Sequence, residues 1–263
     1  SRMLEPGYGY VRISTFQADT GADFQKHLTQ LQSQAGGRLK GLVLDLRSNP
    51  GGLLTAAVQV ADDLLDKGTI VSTRGRIPIS DTEFKATPGD RLGGAPVVVL
   101  VDAGSASASE VLAGALHDNQ RARIVGSRTF GKGSVQTVLP LDNGDSVKLT
   151  TARYYMPSGK SIQATGIVPD VELAADSAAA PSGLPASMAD FGESKLPGHL
   201  HGDDETAGTA AGVVLPGDAP VRAALRELKQ PGTVARAMAK PVAQPAAANA
   251  EAEPEAKAAG SGK

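Results

Sequence analysis

The chain contains no cysteine and no tryptophan, and aromatic residues make up only 3% of it. Without cysteine there are no disulfides and no thiolate metal ligands, a composition suited to a reducing cytosol or to a cell envelope where stray thiols are a hazard. Charge of one sign is missing too. With 26 basic and 28 acidic residues the net charge is −2, so no basic field draws the protein to nucleic acid or to an anionic membrane. No apolar run approaches the roughly 20 residues that span a bilayer, and the first residues, Ser1-Arg-Met-Leu-Glu-Pro6, carry no apolar signal segment. What remains is ordinary in a useful way: 263 residues, 41% of them hydrophobic, suffice for one large domain or two small ones with a sizeable core.

Hydrophobic periodicity organises the first two thirds. Residues 8–14 and 40–46 read as strands, and residues 22–34 between them place Phe24, Leu28 and Leu31 at helical spacing, a strand, helix, strand unit. The second strand stops at Ser48-Asn-Pro-Gly-Gly52, and a helical period resumes over 56–65. The pattern repeats with the strand 96–102, the turn Ala103-Gly104 and a helix over 106–118. Two turns thus lie at the carboxyl ends of strands, where open α/β sheets place their sites. Residues 70–84 and 135–156 are β-branched and alternating, with Asn143-Gly144 as a hairpin signal, so antiparallel strands are expected there. Beyond Asp170 the texture turns to Ala, Ser, Gly and Pro, which bury too little apolar surface to offset chain entropy. Residues 1–175 are therefore expected to form the core, and 176–263 a linker and a largely disordered tail with a short helix near 219–230.

Few residues offer chemistry. Ser107, in Gly104-Ser-Ala-Ser-Ala-Ser-Glu110, begins a helix. Ser107-Ala-Ser-Glu110 fits the capping box that starts helices without catalysis. The same place favours a nucleophile, because a helix N-terminus stabilises negative charge and the Ala108 N–H can point at an oxyanion. Lys132, in Gly131-Lys-Gly-Ser-Val-Gln136, is a candidate base for it. A serine/lysine couple works with the amine neutral, a state that burial among neighbours such as Phe130, Gly131 and Gly133 favours. If residues 132–136 are extended, Gln136 shares a face with Lys132 and can orient its amine. A glycine N–H of Asn49-Pro-Gly-Gly52 can be a second oxyanion donor. Rivals fit less well. Gly126-Ser-Arg-Thr-Phe-Gly-Lys132 resembles a phosphate-binding loop, but Gly133 follows instead of Ser or Thr, and a strand instead of a helix. Of the four histidines, His117 lies roughly 15 Å along the helix from Ser107, His27 is in another helix, and His199 and His201 sit in the linker with no compelling metal-ligand spacing. No metal or cofactor is expected.

Asp45-Leu-Arg-Ser-Asn-Pro-Gly-Gly52, the Ser107 and Lys132 segments and Gly166-Ile-Val-Pro-Asp170, in this order, resemble the carboxyl-terminal processing (tail-specific) proteases over about residues 7–172. The resemblance implies an α/β fold akin to the ClpP and crotonase superhelix, with a mixed sheet and antiparallel additions. It implies Ser107 as nucleophile, Lys132 as general base, Gln136 as its holder, and the N–H groups of Ala108 and Gly52, or Gly51, as oxyanion donors. It further implies a serine endopeptidase that takes protein substrates by an apolar, unstructured C-terminus, often through a PDZ domain or an adaptor protein. A homo-oligomer when full length and a bacterial periplasmic or cell-envelope location follow from the same likeness. Residues 1–263 hold neither the PDZ domain nor the helical segment that usually precedes the core. The reading from another class is a non-catalytic, protease-like binding module; a crotonase-like acyl-CoA enzyme would share the oxyanion logic without the nucleophile.

Overall fold

The structure is a computed structural model that describes residues 1–76, 81–174, 192–206 and 212–230. Its centre is a six-stranded mixed sheet, in the order β1 (Arg2–Glu5), β2 (Tyr8–Arg12), β3 (Gly41–Asp45), β6 (Val97–Val101), β7 (Ala122–Gly126), β10 (Val171–Glu172). Only β1 runs antiparallel to its neighbour; the other pairs are parallel. All five residues of β3 and of β6 are buried, as expected for central parallel strands covered on both faces. That is why Gly-Leu-Val-Leu-Asp and Val-Val-Val-Leu-Val read as continuous apolar runs rather than as alternating ones.

One face of this sheet is covered by α1 (Thr20–Gln34), α2 (Leu54–Leu64) and α3 (Ala108–Asp118). Phe24, Leu28 and Leu31 of α1, Val60 and Leu64 of α2, and Val111, Leu112 and Leu116 of α3 share one core with Leu42, Leu44, Val97 and Val99. A second, antiparallel sheet in the order β5 (Thr82–Lys85), β4 (Thr69–Gly75), β9 (Ser146–Tyr155), β8 (Ser134–Pro140) joins the same core through Ile70, Val71, Tyr154 and Met156. The hairpin announced by Asn143-Gly144 is the β8–β9 pair, with Gly144 at φ +88° in its turn.

The opposite face is covered by α4 (Ala219–Leu228). Val221, Ala224 and Leu228 pack against Tyr10, Val43, Val98, Leu100 and Val125, each large side chain contributing about 1.5–3 kcal/mol by burial. The helix expected near 219–230 is thus part of the core rather than a feature of a free tail. The segment before it also returns to the core: Arg47 donates to the carbonyls of Leu215 (2.6 Å) and Gly217 (2.9 Å), and the Leu215 N–H donates to Asp102 (3.1 Å). The expectation of disorder over 175–191, 207–211 and 231–263 lies outside the described residues.

Candidate active site

Ser107 stands between β6 and α3, at the carboxyl end of the central sheet. Its backbone takes φ +55° and ψ −115°, a region that costs a residue with a Cβ about 1–3 kcal/mol. This is why the helix starts at Ala108 and not at residue 106 as the apolar pattern suggests: residue 107 cannot be helical in that conformation. The distortion lifts the serine onto the N-terminus of α3, where it is half-buried rather than enclosed.

Several contacts hold it there. Gly51, at φ +100°, lies so close that a Cβ on it would sit 2.8 Å from the Ala106 carbonyl and 2.9 Å from the Ser107 Cβ. Asn49 is fully buried and makes the junction: its carbonyl accepts from the Ala106 N–H and the Ser109 hydroxyl, both at 2.9 Å. Its side chain donates to the Ile13 carbonyl (2.8 Å) and accepts from the Gly51 N–H (2.9 Å). Below it, Asp102 accepts from the N–H groups of Ser48 (2.8 Å) and Gly104 (2.9 Å), tying the two strand-end turns together. Arg47 pairs with Asp45 at 2.7 Å, and Tyr10 also donates to that carboxylate at 2.7 Å.

The Gly51 N–H is consumed by Asn49. The N–H groups of Gly52 and Ala108 have no hydrogen-bond partner among the described residues. These two donors are therefore free among the described residues, one in each of the two strand-end turns.

Lys132 comes to this place through Glu110. The Glu110 side chain is fully buried and is the meeting point of four donors. Its Oε2 accepts the N–H of Ser107 (2.8 Å) and of Lys132 (2.9 Å); its Oε1 accepts the Gly131 N–H (2.7 Å) and the Thr129 hydroxyl. The Phe130 N–H adds a bond to the Ser105 carbonyl at 3.0 Å. Serine turn and lysine loop are thus joined at the backbone, within the span of two hydrogen bonds on one oxygen. Burial pushes the Glu110 carboxyl up to about 7, against the four hydrogen bonds that favour its ionised form.

The capping box read from Ser107-Ala-Ser-Glu110 is present, and its glutamate half also serves the site. Sequence pattern singles out Glu110 only as a cap. Its role as a hub, with Thr129, comes from residues about twenty positions apart meeting in space. The far side of the lysine loop rests on Gln163, fully buried, which accepts the Gly133 N–H at 3.0 Å. Thr129 also accepts the Ile167 N–H (2.7 Å), and Asp170 accepts the Ile124 N–H (2.7 Å), so the Gly166-Ile-Val-Pro-Asp170 motif fastens the loop to β7.

Gln136 is in β8 with its side chain exposed. That strand begins at Ser134, which leaves Lys132 in the preceding loop, and the pairing with β9 shifts register between Val135 and Gln136. The simple alternation that relates Lys132 to Gln136 is therefore not a property of the strand, and no hydrogen bond between them is among those of the described residues. His117 is held by Asp118 (3.2 Å) and Asp170 (3.3 Å) at the other end of α3.

Fold and site together define an α/β core built around a serine lifted onto a helix N-terminus and joined to a lysine loop by a buried carboxylate. Residues 7–173 match the family model of peptidase family S41, and the chain belongs to that family. It is 45% identical over 217 residues to the carboxy-terminal-processing protease of Bartonella bacilliformis, covering 82% of this chain and 49% of that protein. It is 48% identical over 166 residues to the chloroplastic C-terminal processing peptidase of Tetradesmus obliquus, covering 63% and 35%. Among solved structures, the photosystem II D1 C-terminal processing protease matches with a TM-score of 0.57 at 45% identity, over 65% of this chain and 45% of that one. The chain spans about half the length, or less, of these relatives.

Proposed function

We propose that the chain carries the catalytic core of a serine endopeptidase in which Ser107 is the nucleophile and Lys132 its general base. The observation that carries this reading is the shared Glu110 oxygen, which draws the backbones of Ser107 and Lys132 to one point. Neutral Lys132 takes the Ser107 proton as the Oγ attacks a peptide carbonyl; the oxyanion lies against the Gly52 and Ala108 N–H groups. The protonated lysine returns its proton to the leaving amine, and water attacks the acyl-enzyme by the reverse route to release the acid. Gln136 steadies the lysine amine once substrate covers β8.

The substrates are proteins with an apolar, unstructured C-terminus. In support, β8 is an edge strand beside the site and exposes Val138 and Leu139, while Leu149 is exposed on its hairpin partner, an arrangement that suits an extended apolar peptide. Work in a bacterial cell envelope, as a homo-oligomer with an adaptor delivering substrate, completes the proposal for the whole protein; the Bartonella relative and the absence of cysteine accord with it.

The test is labelling by a fluorophosphonate probe together with cleavage of an unfolded substrate. Parent protein is expected to react, whereas Ser107→Ala, Lys132→Ala and Lys132→Arg are expected to be inert, because a guanidinium stays protonated and cannot accept the proton. Appreciable activity in Lys132→Arg would remove the lysine from the base role, and labelling of Ser107→Ala would remove the serine from the nucleophile role.

A further inference from the structure

Outside the Ser107 site, His199, His201 and Glu205 converge in one loop: one nitrogen from each histidine and a carboxylate oxygen lie within 4.8 Å of one another. The His199 Nε2 is 2.8 Å from one Glu205 oxygen and the His201 Nδ1 is 3.1 Å from the other. We propose that His199, His201 and Glu205 form a binding site for a divalent transition ion of the zinc class.

The donor set is the first reason. Two imidazoles and a carboxylate are ligands that zinc accepts, with a fourth position left for water, and the chain has no thiolate to divert the ion. Tetrahedral zinc with bonds of 2.0–2.1 Å holds its ligand atoms about 3.3 Å apart. Each His–Glu contact is already at or below that spacing, but each uses a different carboxylate oxygen, so the set, whose atoms lie within 4.8 Å of one another, must tighten around a single ion. His201 can make that movement because its side chain is 84% exposed.

The second reason is the support behind the ligands. The His199 Nδ1 lies 3.1 Å from the Leu196 carbonyl, which can only accept, so Nδ1 carries the proton and Nε2 is the atom turned toward Glu205. Metal-bound histidines are oriented in this way. The Gly202 N–H donates to Glu205 Oε2 at 3.0 Å, fixing the carboxylate. Spacing alone passes over these histidines because the carboxylate that completes the set lies four residues beyond the second.

The position gives the ion something to do. The Leu200 carbonyl accepts from Gln163 Nε2 at 2.8 Å, and the other end of the same amide accepts the Gly133 N–H beside Lys132. A bound ion would therefore brace the loop that rests on the outer side of the lysine segment.

The experiment is a titration of the tag-free 263-residue chain with Co(II), followed by visible absorption, and then displacement by Zn(II) in calorimetry. One equivalent per chain is expected, with the d–d bands of a four- or five-coordinate ion. His201→Ala, whose exposed side chain leaves the fold unthreatened, and Glu205→Gln are each expected to weaken binding at least about tenfold. His27→Ala and His117→Ala should leave it unchanged. Absence of saturable binding, binding that survives His201→Ala unaltered, or binding lost in His27→Ala or His117→Ala would overturn the proposal.

Discussion

Replacing Glu110 by Gln tests how the site is assembled, because the two side chains share a shape and differ in charge. The carboxyl is fully buried, and its affinity for a proton is raised from 4.5 to about 7 by desolvation. Between those values the unfolded chain has released the proton and the folded chain still holds it. The folded state then binds more protons, and stability falls as pH rises through the window. At about 1.4 kcal/mol per unit, the loss is on the order of 3 kcal/mol between pH 4.5 and 7.5. Glu110→Gln imitates the protonated form at every pH. Its stability should lie below the parent near pH 5, by about 1–3 kcal/mol for a buried donor left unpaired, and this part of the decline with pH should be absent above it. Function should move in the opposite direction. Both carboxylate oxygens accept, and Oε2 alone gathers the Ser107 and Lys132 N–H groups; an amide has one accepting oxygen and meets the remaining N–H donors with its own N–H. A displacement of about 1 Å between serine and lysine costs about 100-fold in turnover. Urea unfolding at half-unit pH steps, beside cleavage of an unfolded substrate, reads both effects. Equal slopes of stability against pH in parent and variant, or parental turnover in the variant, would refute the account of Glu110 as a buried hub whose ionised form aligns the site.

Three further perturbations follow from the geometry. Gly51→Ala should lose about 1–2 kcal/mol from its left-handed backbone alone, and more from the 2.8 Å approach to the Ala106 carbonyl; urea midpoints should show the loss, and turnover should fall because the new methyl also comes within 2.9 Å of the Ser107 Cβ. Asn49→Ala strips the Ile13 carbonyl and the Gly51 N–H of their partner, with an expected cost of about 1–3 kcal/mol for each group left buried and unpaired; an unchanged midpoint would contradict the role of Asn49 as the junction of the two turns. His117, whose proton affinity is raised from 6.5 to about 10 by hydrogen bonds to Asp118 and Asp170, binds more protons folded than unfolded across that window. Its contribution is complete below pH 6.5 and is lost as pH rises toward 10, so His117→Ala should flatten unfolding free energy against pH in that range, and an unaltered slope would show that the contacts carry no linkage.

The residues themselves determine most of the frame, because hydrophobic period is local. The spacing of Phe24, Leu28 and Leu31 determines a helix, the runs at 41–45 and 97–101 determine buried strands, and Asn143-Gly144 determines a hairpin, each within a dozen residues. The motifs around Ser107 and Lys132 were legible for a similar reason, since each is a short run of unusual composition. Other features were decided only when the chain closed on itself. Whether Val221, Ala224 and Leu228 face the sheet depends on Gly41, where a Cβ would come within 3.0 Å of Leu228. Which glycine N–H remains free depends on where the Asn49 amide turns. Glu110 is a helix cap in one dimension and a hub in three, because Thr129, Gly131 and Lys132 reach it from the far side of β7. Hydrogen bonds between distant turns follow from the packing of the elements that carry the turns, and that packing is written in no local window of residues.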